Sequence, residues 1–296
     1  MINDCHVHFL SPSFFAGLGA NRQAITGLGW EFPDSVEALG VKWVGELDRH
    51  GVQRASLIAS LPGDADAVAL AVALAVARHP DRFVGFFMLD PTRKDAIDYA
   101  KRALDEGLRT ICLFPAMHGY YLHDQRVNDV FDLAASRRGG TVDQIAVFVH
   151  CGVLSVGIRK KLGLPSPFDI RYGNPIDLHG VALRHPGVPI IIPHFGAGML
   201  REALMLADGC PNVHLDTSSS NSWIKFSPGL TLEQVFKTAL NVVGPTRLIF
   251  GSDSSFFPRG WNGEIYQKQK AALDAIGVSA DHQNRIFGGN FARLFS

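Results

Sequence analysis

Short apolar runs rich in Val, Ile, Leu and Phe recur along the chain, and between them lie longer stretches whose apolar residues return at helical spacing. Eight runs have strand character: residues 2–9, 53–59, 83–88, 110–114, 146–150, 189–193, 213–216 and 248–251. Helices are predicted over 64–79, 94–107, 128–138, 175–185, 199–208, 232–242 and 264–276, several closed by Gly or Pro. Such alternation predicts a parallel sheet built from βα units, and the number of units fits an α/β fold of the TIM-type (β/α)8 barrel. The competing arrangement, a doubly wound open sheet, would gather its ligand at one switch point rather than at many strand ends. No repeat, low-complexity tract or polar linker marks a boundary, so 1–296 is read as a single domain. Two connections are long, 10–42 after the first strand and 152–174 after the fifth. Both leave strand C-termini, where barrel enzymes keep their sites, so both are candidate binding loops.

Composition narrows the classes. A hydrophobic fraction of 47% against 19% charged residues supplies a large core and excludes a disordered chain. Lys plus Arg balance Asp plus Glu at 28 each, with no long run of one sign, so neither nucleic acid nor a membrane surface is expected as a partner. The longest apolar run, 67–77, is too short to span a bilayer. Cys5, Cys112, Cys151 and Cys210 form no CxxC pair, no N-glycosylation acceptor occurs and the N-terminus reads as no secretory signal. A cytoplasmic protein is the expectation. The low charged fraction and the Ala/Val-rich segment also admit a homodimer.

Candidate chemistry sits at strand ends. Within Asp4-Cys5-His6-Val7-His8, strand alternation directs His6 and His8 to one side with Asp4 below them, and turns Cys5 towards the helices; Cys151 beside His150 is turned the same way. His150 ends the fifth run, His194 the sixth, and Asp253 follows the eighth. Polar side chains at several strand C-termini of a barrel converge on one mouth. Three imidazoles and a carboxylate suit one divalent metal ion, zinc first, with manganese or iron(II) compatible. Coordination would bring the pKa of a bound water from 15.7 towards about 7 and polarise a carbonyl oxygen. Asp253 could then carry a proton, and His194 could act as acid or base. His50, His79 and His185 precede Gly or Pro at helix ends and read as structural. His118, Tyr120, Tyr121 and His123 follow the fourth strand, and Arg22, Trp30, Arg159, Arg171, Trp223, Lys225, Arg259 and Trp261 fall in loops at the presumed mouth. Basic and aromatic walls of that kind suit a small planar carboxylate.

The chain resembles the amidohydrolase superfamily, within it the group of aminocarboxymuconate-semialdehyde decarboxylase and its relatives. The likeness rests on Asp4-Cys5-His6-Val7-His8-Phe9, Arg78-His79-Pro80-Asp81-Arg82-Phe83, His150, Ile192-Pro193-His194-Phe195-Gly196, Gly251-Ser252-Asp253 and the terminal Gly289-Asn290-Phe291-Ala292-Arg293-Leu294. It implies that His6, His8, His150 and Asp253 bind one metal ion, and that His194 stands beside the metal-bound water or the substrate. Binuclear members carry a carboxylated lysine at the end of strand four; residues 110–117 contain none, which implies a mononuclear site. The expected activity is hydrolysis of an amide, lactone or related small carbonyl compound. The alternative is a non-oxidative decarboxylase, favoured slightly by Leu10-Ser11-Pro12, and the third reading is a barrel that only binds.

Overall fold

Short apolar runs bounded by turn residues suit strands buried on both faces, and the structure uses most of them so, whereas the longer apolar run 67–77 lies in the helix Ala65–Arg78. The computed structural model describes residues 1–59, 65–137 and 144–295. Eight parallel strands follow one another around a ring: β1 (Ile2–Asp4), β2 (Val52–Ala59), β3 (Phe83–Leu89), β4 (Thr110–Leu113), β5 (Ala146–Val149), β6 (Ile190–Ile192), β7 (Val213–Asp216) and β8 (Leu248–Ile249). Each pairs with its neighbours in sequence. The ring closes just past the ends of β8 and β1, where Cys5 N–H donates to the Phe250 carbonyl (2.9 Å) and His8 N–H to the Ser254 carbonyl (2.7 Å). A TIM-type barrel results, as the periodicity predicts.

Alternate residues of the strands divide the core. Val84, Phe86 and Met88 of β3 fill the barrel interior with Ile58, Cys112, Phe148, Ile191 and Ile249, and Phe291, Leu294 and Phe295 plug its N-terminal end. Phe87, Leu89, Val147, Val149, Leu215 and Phe250 pack outward against the helices.

One strand breaks the period. A bend at Cys5 turns two consecutive side chains inward, so Cys5 joins the interior cluster and His6 the cavity above it. This corrects the expected outward Cys5. Asp4 consequently lies on the helix side of the sheet instead of beneath His6, whereas Cys151 packs in the outer layer as expected. The Asp4 carboxylate is buried and accepts hydrogen bonds from Ser252 N–H (3.0 Å), the Ser252 hydroxyl, the Trp261 indole N–H (2.7 Å) and His6 N–H (2.9 Å). It ties the start of the chain to the segment after β8.

The two long connections are not structureless. The first contains helices Pro12–Gly17 and Arg22–Gly27, and Val36–Arg49 begins inside it. Ser11, Asn21 and Ser35 cap them, each side-chain oxygen accepting a backbone N–H of the first turn. Six-residue helices are too short to show a hydrophobic period, and the caps were the available signal. The second carries Gly157–Lys161 and the turn Ile170–Tyr172. The stretch predicted as one helix over 175–185 divides into a 3-10 segment, Pro175–Leu178, and a helix, His179–Arg184. Of the helix predicted over 64–79, the structure shows Ala65–Arg78, and residue 64 lies outside the described residues. No described helix is long and apolar enough to cross a membrane.

Truncating Asp4 removes the acceptor of three buried N–H donors, on His6, Ser252 and Trp261, each costing about 1–3 kcal/mol, while the Ser252 hydroxyl keeps Ser254 Oγ. Asp4→Ala is therefore expected to lower the unfolding free energy by about 3–5 kcal/mol, read from urea denaturation. A loss below about 1 kcal/mol would show that closure does not depend on this carboxylate.

Candidate functional site

Strand C-termini deliver the imidazoles and carboxylates grouped at the main cavity. His6 and His8 follow β1, His150 follows β5, His194 follows β6, Asp216 ends β7 and Asp253 follows β8. His8 is held in register on both sides, bridging Ile58 and donating its N–H to Ser254. His194 sits in a tight turn in which His194 (φ 56°), Phe195 (φ 52°) and Ala197 (φ 44°) are all left-handed, and Asp253 shares that conformation (φ 58°). Non-glycine residues pay for such backbone, and clusters of them mark functional sites. Gly251 is required for a different reason: a Cβ there would stand 2.8 Å from Asp216 Oδ1, the His6 Cβ and the Ser218 Cβ.

The His6 ring is fixed from behind. Its Nδ1–H donates to Asp216 Oδ2 (2.7 Å), with the Ser218 hydroxyl at 3.0 Å, so Nε2 carries the lone pair and faces the cavity. His6 Nε2 stands 3.3 Å from His8 Nε2 and 3.8 Å from Asp253 Oδ1, and His8 Nε2 is 3.2 Å from Asp253 Oδ1. These three donors lie within 4.8 Å of one another. Two donors each about 2.0–2.1 Å from one tetrahedral ion are about 3.3 Å apart, so the spacing and the N/O chemistry fit a divalent metal.

His150 and His194 complete the wall. The His150 ring stacks on Phe114 (5.5 Å between centroids) and meets His194 edge-on (5.2 Å), and the His194 ring is 4.8 Å from that of His6. Among the described residues the buried His150 Nδ1 has no hydrogen-bond partner. His194 Nδ1 lies 2.9 Å from the Ser218 hydroxyl and 3.3 Å from the Ser218 carbonyl, so an Nδ1–H satisfies that carbonyl and leaves Nε2 basic. Burial lowers both pKa values, with His6 as a repelling neighbour, which keeps the two imidazoles neutral at pH 7. For His6 burial also opposes the charge, but Asp216 outweighs it and the pKa is raised. Burial opposes ionisation of Asp253, yet the His8 hydrogen bond and the neighbouring imidazoles, His6 first, hold its carboxyl well below the usual range.

The cavity these groups share has a volume of about 300 Å³. Both long connections line it, the first through Leu10, Phe14 and Trp30, the second through Leu154 to Ile158 and Lys161. Of the mouth residues read from the sequence, only Trp30 and Arg259 reach it. Trp30 stacks on Phe256 (3.9 Å, 5° between planes) and the Arg259 guanidinium covers the Phe256 ring (4.6 Å). Arg22, Arg159 and Arg171 are engaged elsewhere, with Asp34, the Pro165 carbonyl and Asp169. Trp223 donates to Asn221 and Trp261 to Asp4, while Lys225 lies over Phe226; none of the three lines the cavity. His118, Tyr120, Tyr121 and His123 also stay outside it.

Sequence reasoning missed Asp216, Ser218, Phe114 and Lys161. Asp216 was legible: it closes the seventh strand and obeys the same strand-end rule that found the histidines. Nothing in the sequence pointed to the Ser218 hydroxyl between two imidazoles.

The family model described as amidohydrolase matches residues 4–296. No protein with a curated description matches the chain. Among solved structures, an amidohydrolase from Burkholderia multivorans with bound zinc is 15% identical with TM-score 0.64, over 100% of this chain and 99% of that one. A 2,6-dihydroxybenzoate decarboxylase from Rhizobium is 16% identical (TM-score 0.61; 99% and 98% covered), and a 4-oxalomesaconate hydratase from Rhodopseudomonas palustris is 16% identical (TM-score 0.64; 100% and 95% covered). At these identities the likeness is one of fold.

Because Asp216 sets the tautomer and aim of His6, Asp216→Asn is expected to weaken Zn²⁺ binding about 10–100-fold in competition with a chromophoric chelator. An affinity equal to that of the unaltered protein would show that His6 is oriented by its own strand alone.

Proposed function

The chain belongs to the amidohydrolase family, and from that premise we propose a metal-dependent hydrolase that attacks a small carbonyl compound, an amide, a lactone or a related carboxylate, with water. The observation that carries this reading is the meeting of His6, His8 and Asp253 across the closure of the barrel, with the His150 and His194 imidazoles facing the same cavity.

His6, His8, His150 and Asp253 would hold one divalent ion, zinc by donor type, with manganese or iron(II) compatible. When bound, such an ion acidifies a coordinated water and polarises a carbonyl oxygen as a Lewis acid. The orphaned His150 Nδ1 leaves that imidazole available as a ligand, and the absence of lysine over 110–117, where Phe114 stacks on His150, supports a single-ion site. Asp216 keeps His6 in the ligating tautomer. Asp253, ionised and about a third exposed to the cavity (36%), takes a proton from the attacking water and delivers it to the leaving group. His194 Nε2 hydrogen-bonds the reacting oxygen or exchanges a proton with it. The water oxygen bonds to the carbonyl carbon, the bond to the leaving group breaks, and that group leaves with the proton. Arg259, which donates to the Asp253 carbonyl (3.2 Å) and lies over Phe256, itself stacked on Trp30, suits pairing with a planar carboxylate.

A second reading, non-oxidative decarboxylation of an unsaturated or aromatic carboxylate, is favoured by the apolar wall of Leu10, Phe14, Trp30 and Phe256, which strips water from a carboxylate facing it. There the carbon–carbon bond breaks, carbon dioxide departs, and the ring or alkene carbon takes a proton.

A panel of small carboxylates, lactones and amides, assayed separately for acid release and for carbon dioxide release by the zinc-loaded protein, separates the two. Acid without carbon dioxide is expected; carbon dioxide release with no net hydrolysis would replace the first reading by the second. His194→Ala is expected to keep about one metal per chain while turnover falls about 10²–10⁴-fold. Asp253→Asn and His150→Ala are expected to lose metal and turnover together. A folded His194→Ala protein without metal would make His194 a ligand and overturn these roles.

A further inference from the structure

The barrel has a second cavity at its other end, beneath the N-termini of β6, β7 and β8, with a volume of about 520 Å³. Its wall contains three arginines, Arg247, Arg285 and Arg293, together with His214, and no aspartate or glutamate. Arg285 is claimed by Asp281 (3.0 Å). The other two have no carboxylate within salt-bridge distance among the described residues. Arg247 spends its Nε and one terminal nitrogen on the carbonyls of Val243, Ala207 and Cys210, and Arg293 gives one nitrogen to the Thr246 carbonyl. Both therefore keep guanidinium donors and their full charge.

His214 is the independent observation. It is the second residue of β7, only 5% exposed, and its Nδ1 is buried with no hydrogen-bond partner among the described residues. Leaving such an atom unpaired costs about 1–3 kcal/mol, which a bound polar group at this end of β7 would recover. Burial, with Arg293 and Arg247 nearby, pushes its pKa down to about 3, so at neutral pH it offers a neutral imidazole beside two cations.

We propose that this cavity is an anion site for a small phosphate-class oxyanion, held by Arg247, Arg293 and His214. Three separate side chains call for three acceptor oxygens, which a phosphate or phosphomonoester has and a carboxylate lacks. The site is distinct from the candidate metal centre. His214 and Asp216 are two residues apart on β7, but Asp216 serves the cavity at the strand C-termini and His214 the one at the N-termini.

The test is isothermal titration of the zinc-loaded protein at low ionic strength with inorganic phosphate and with glycerol 3-phosphate, acetate and chloride serving as controls. Saturable binding of one equivalent with Kd below about 1 mM is expected for at least one phosphate ligand, with acetate and chloride at least about tenfold weaker. Preference for inorganic phosphate identifies the free ion, and preference for the ester a phosphorylated metabolite. Arg293→Gln, a change at a surface helix, is expected to weaken binding about tenfold or more, and His214→Gln likewise. Phosphate is also expected to raise the melting temperature of the unaltered protein and not that of Arg293→Gln, a readout that needs no second buried substitution. No saturable binding of either ligand, or binding unchanged in both variants, overturns the proposal. Since Arg293 lies outside the metal-site cavity, phosphate held there alone would give that second result.

Discussion

Everything at the mouth of this barrel depends on how its first and last strands meet. A ring of parallel strands needs one seam between chain positions far apart in sequence, and here the seam is also the proposed metal site: His6 and His8 stand on one side of it and Asp253 on the other. Backbone hydrogen bonds set its register and the Asp4 carboxylate locks it, collecting donors from Ser252 and Trp261. A shift of one residue would reverse the facing of every side chain beyond it. The bend at Cys5 is such a shift made locally, and it brings His6 inward while leaving Asp4 outside to hold the seam.

The tightness of that packing explains the backbone at the strand ends. Gly251 passes so near His6 and Asp216 that only hydrogen fits, and the chain then enters left-handed conformation at Asp253. The turn carrying His194 repeats the device. Residues in such conformations persist only where neighbours over-determine them. At His194 those neighbours include Ser218, whose hydroxyl lies against both His6 and His194 and whose N–H donates to Asp216 (2.7 Å). The four groups form one hydrogen-bonded unit, so the ring proposed to bind metal and the ring proposed to meet substrate are aimed by the same short segment at the end of β7.

The order of strands, and the five side chains at their ends, were legible because parallel strands buried on both faces write themselves as apolar runs and end visibly when a polar residue appears. Cys5 and Asp4 were misplaced because strict alternation was carried through a residue where the backbone bends, and a bend of that kind leaves no mark in hydrophobicity. The two short helices of the first long connection escaped for want of length, since six residues complete fewer than two turns, whereas the 14-residue Val36–Arg49 went unread although the cap at Ser35 marked its start. The loop arginines were unreadable for another reason: whether a surface arginine faces a cavity or an adjacent aspartate is decided by contacts between segments. Arg171 beside Asp169 and Arg259 above Phe256 look equally available in sequence.

β7 joins these themes. Its outward residues, Val213 and Leu215, are ordinary core, while its two inward ones, about 7 Å apart at strand spacing, point to opposite ends of the barrel. Asp216 meets an imidazole and gives that end a carboxylate; His214 meets two arginines and gives the other end a donor. Between the two ends lie Phe148, Ile191 and Ile249, apolar side chains that separate the two cavities. A barrel whose strands β4 to β8 are two to four residues long is only as deep as about three layers of such side chains. Keeping a carboxylate-rich site and an arginine-rich cavity on one fold therefore requires that its middle layer be as apolar as this one is.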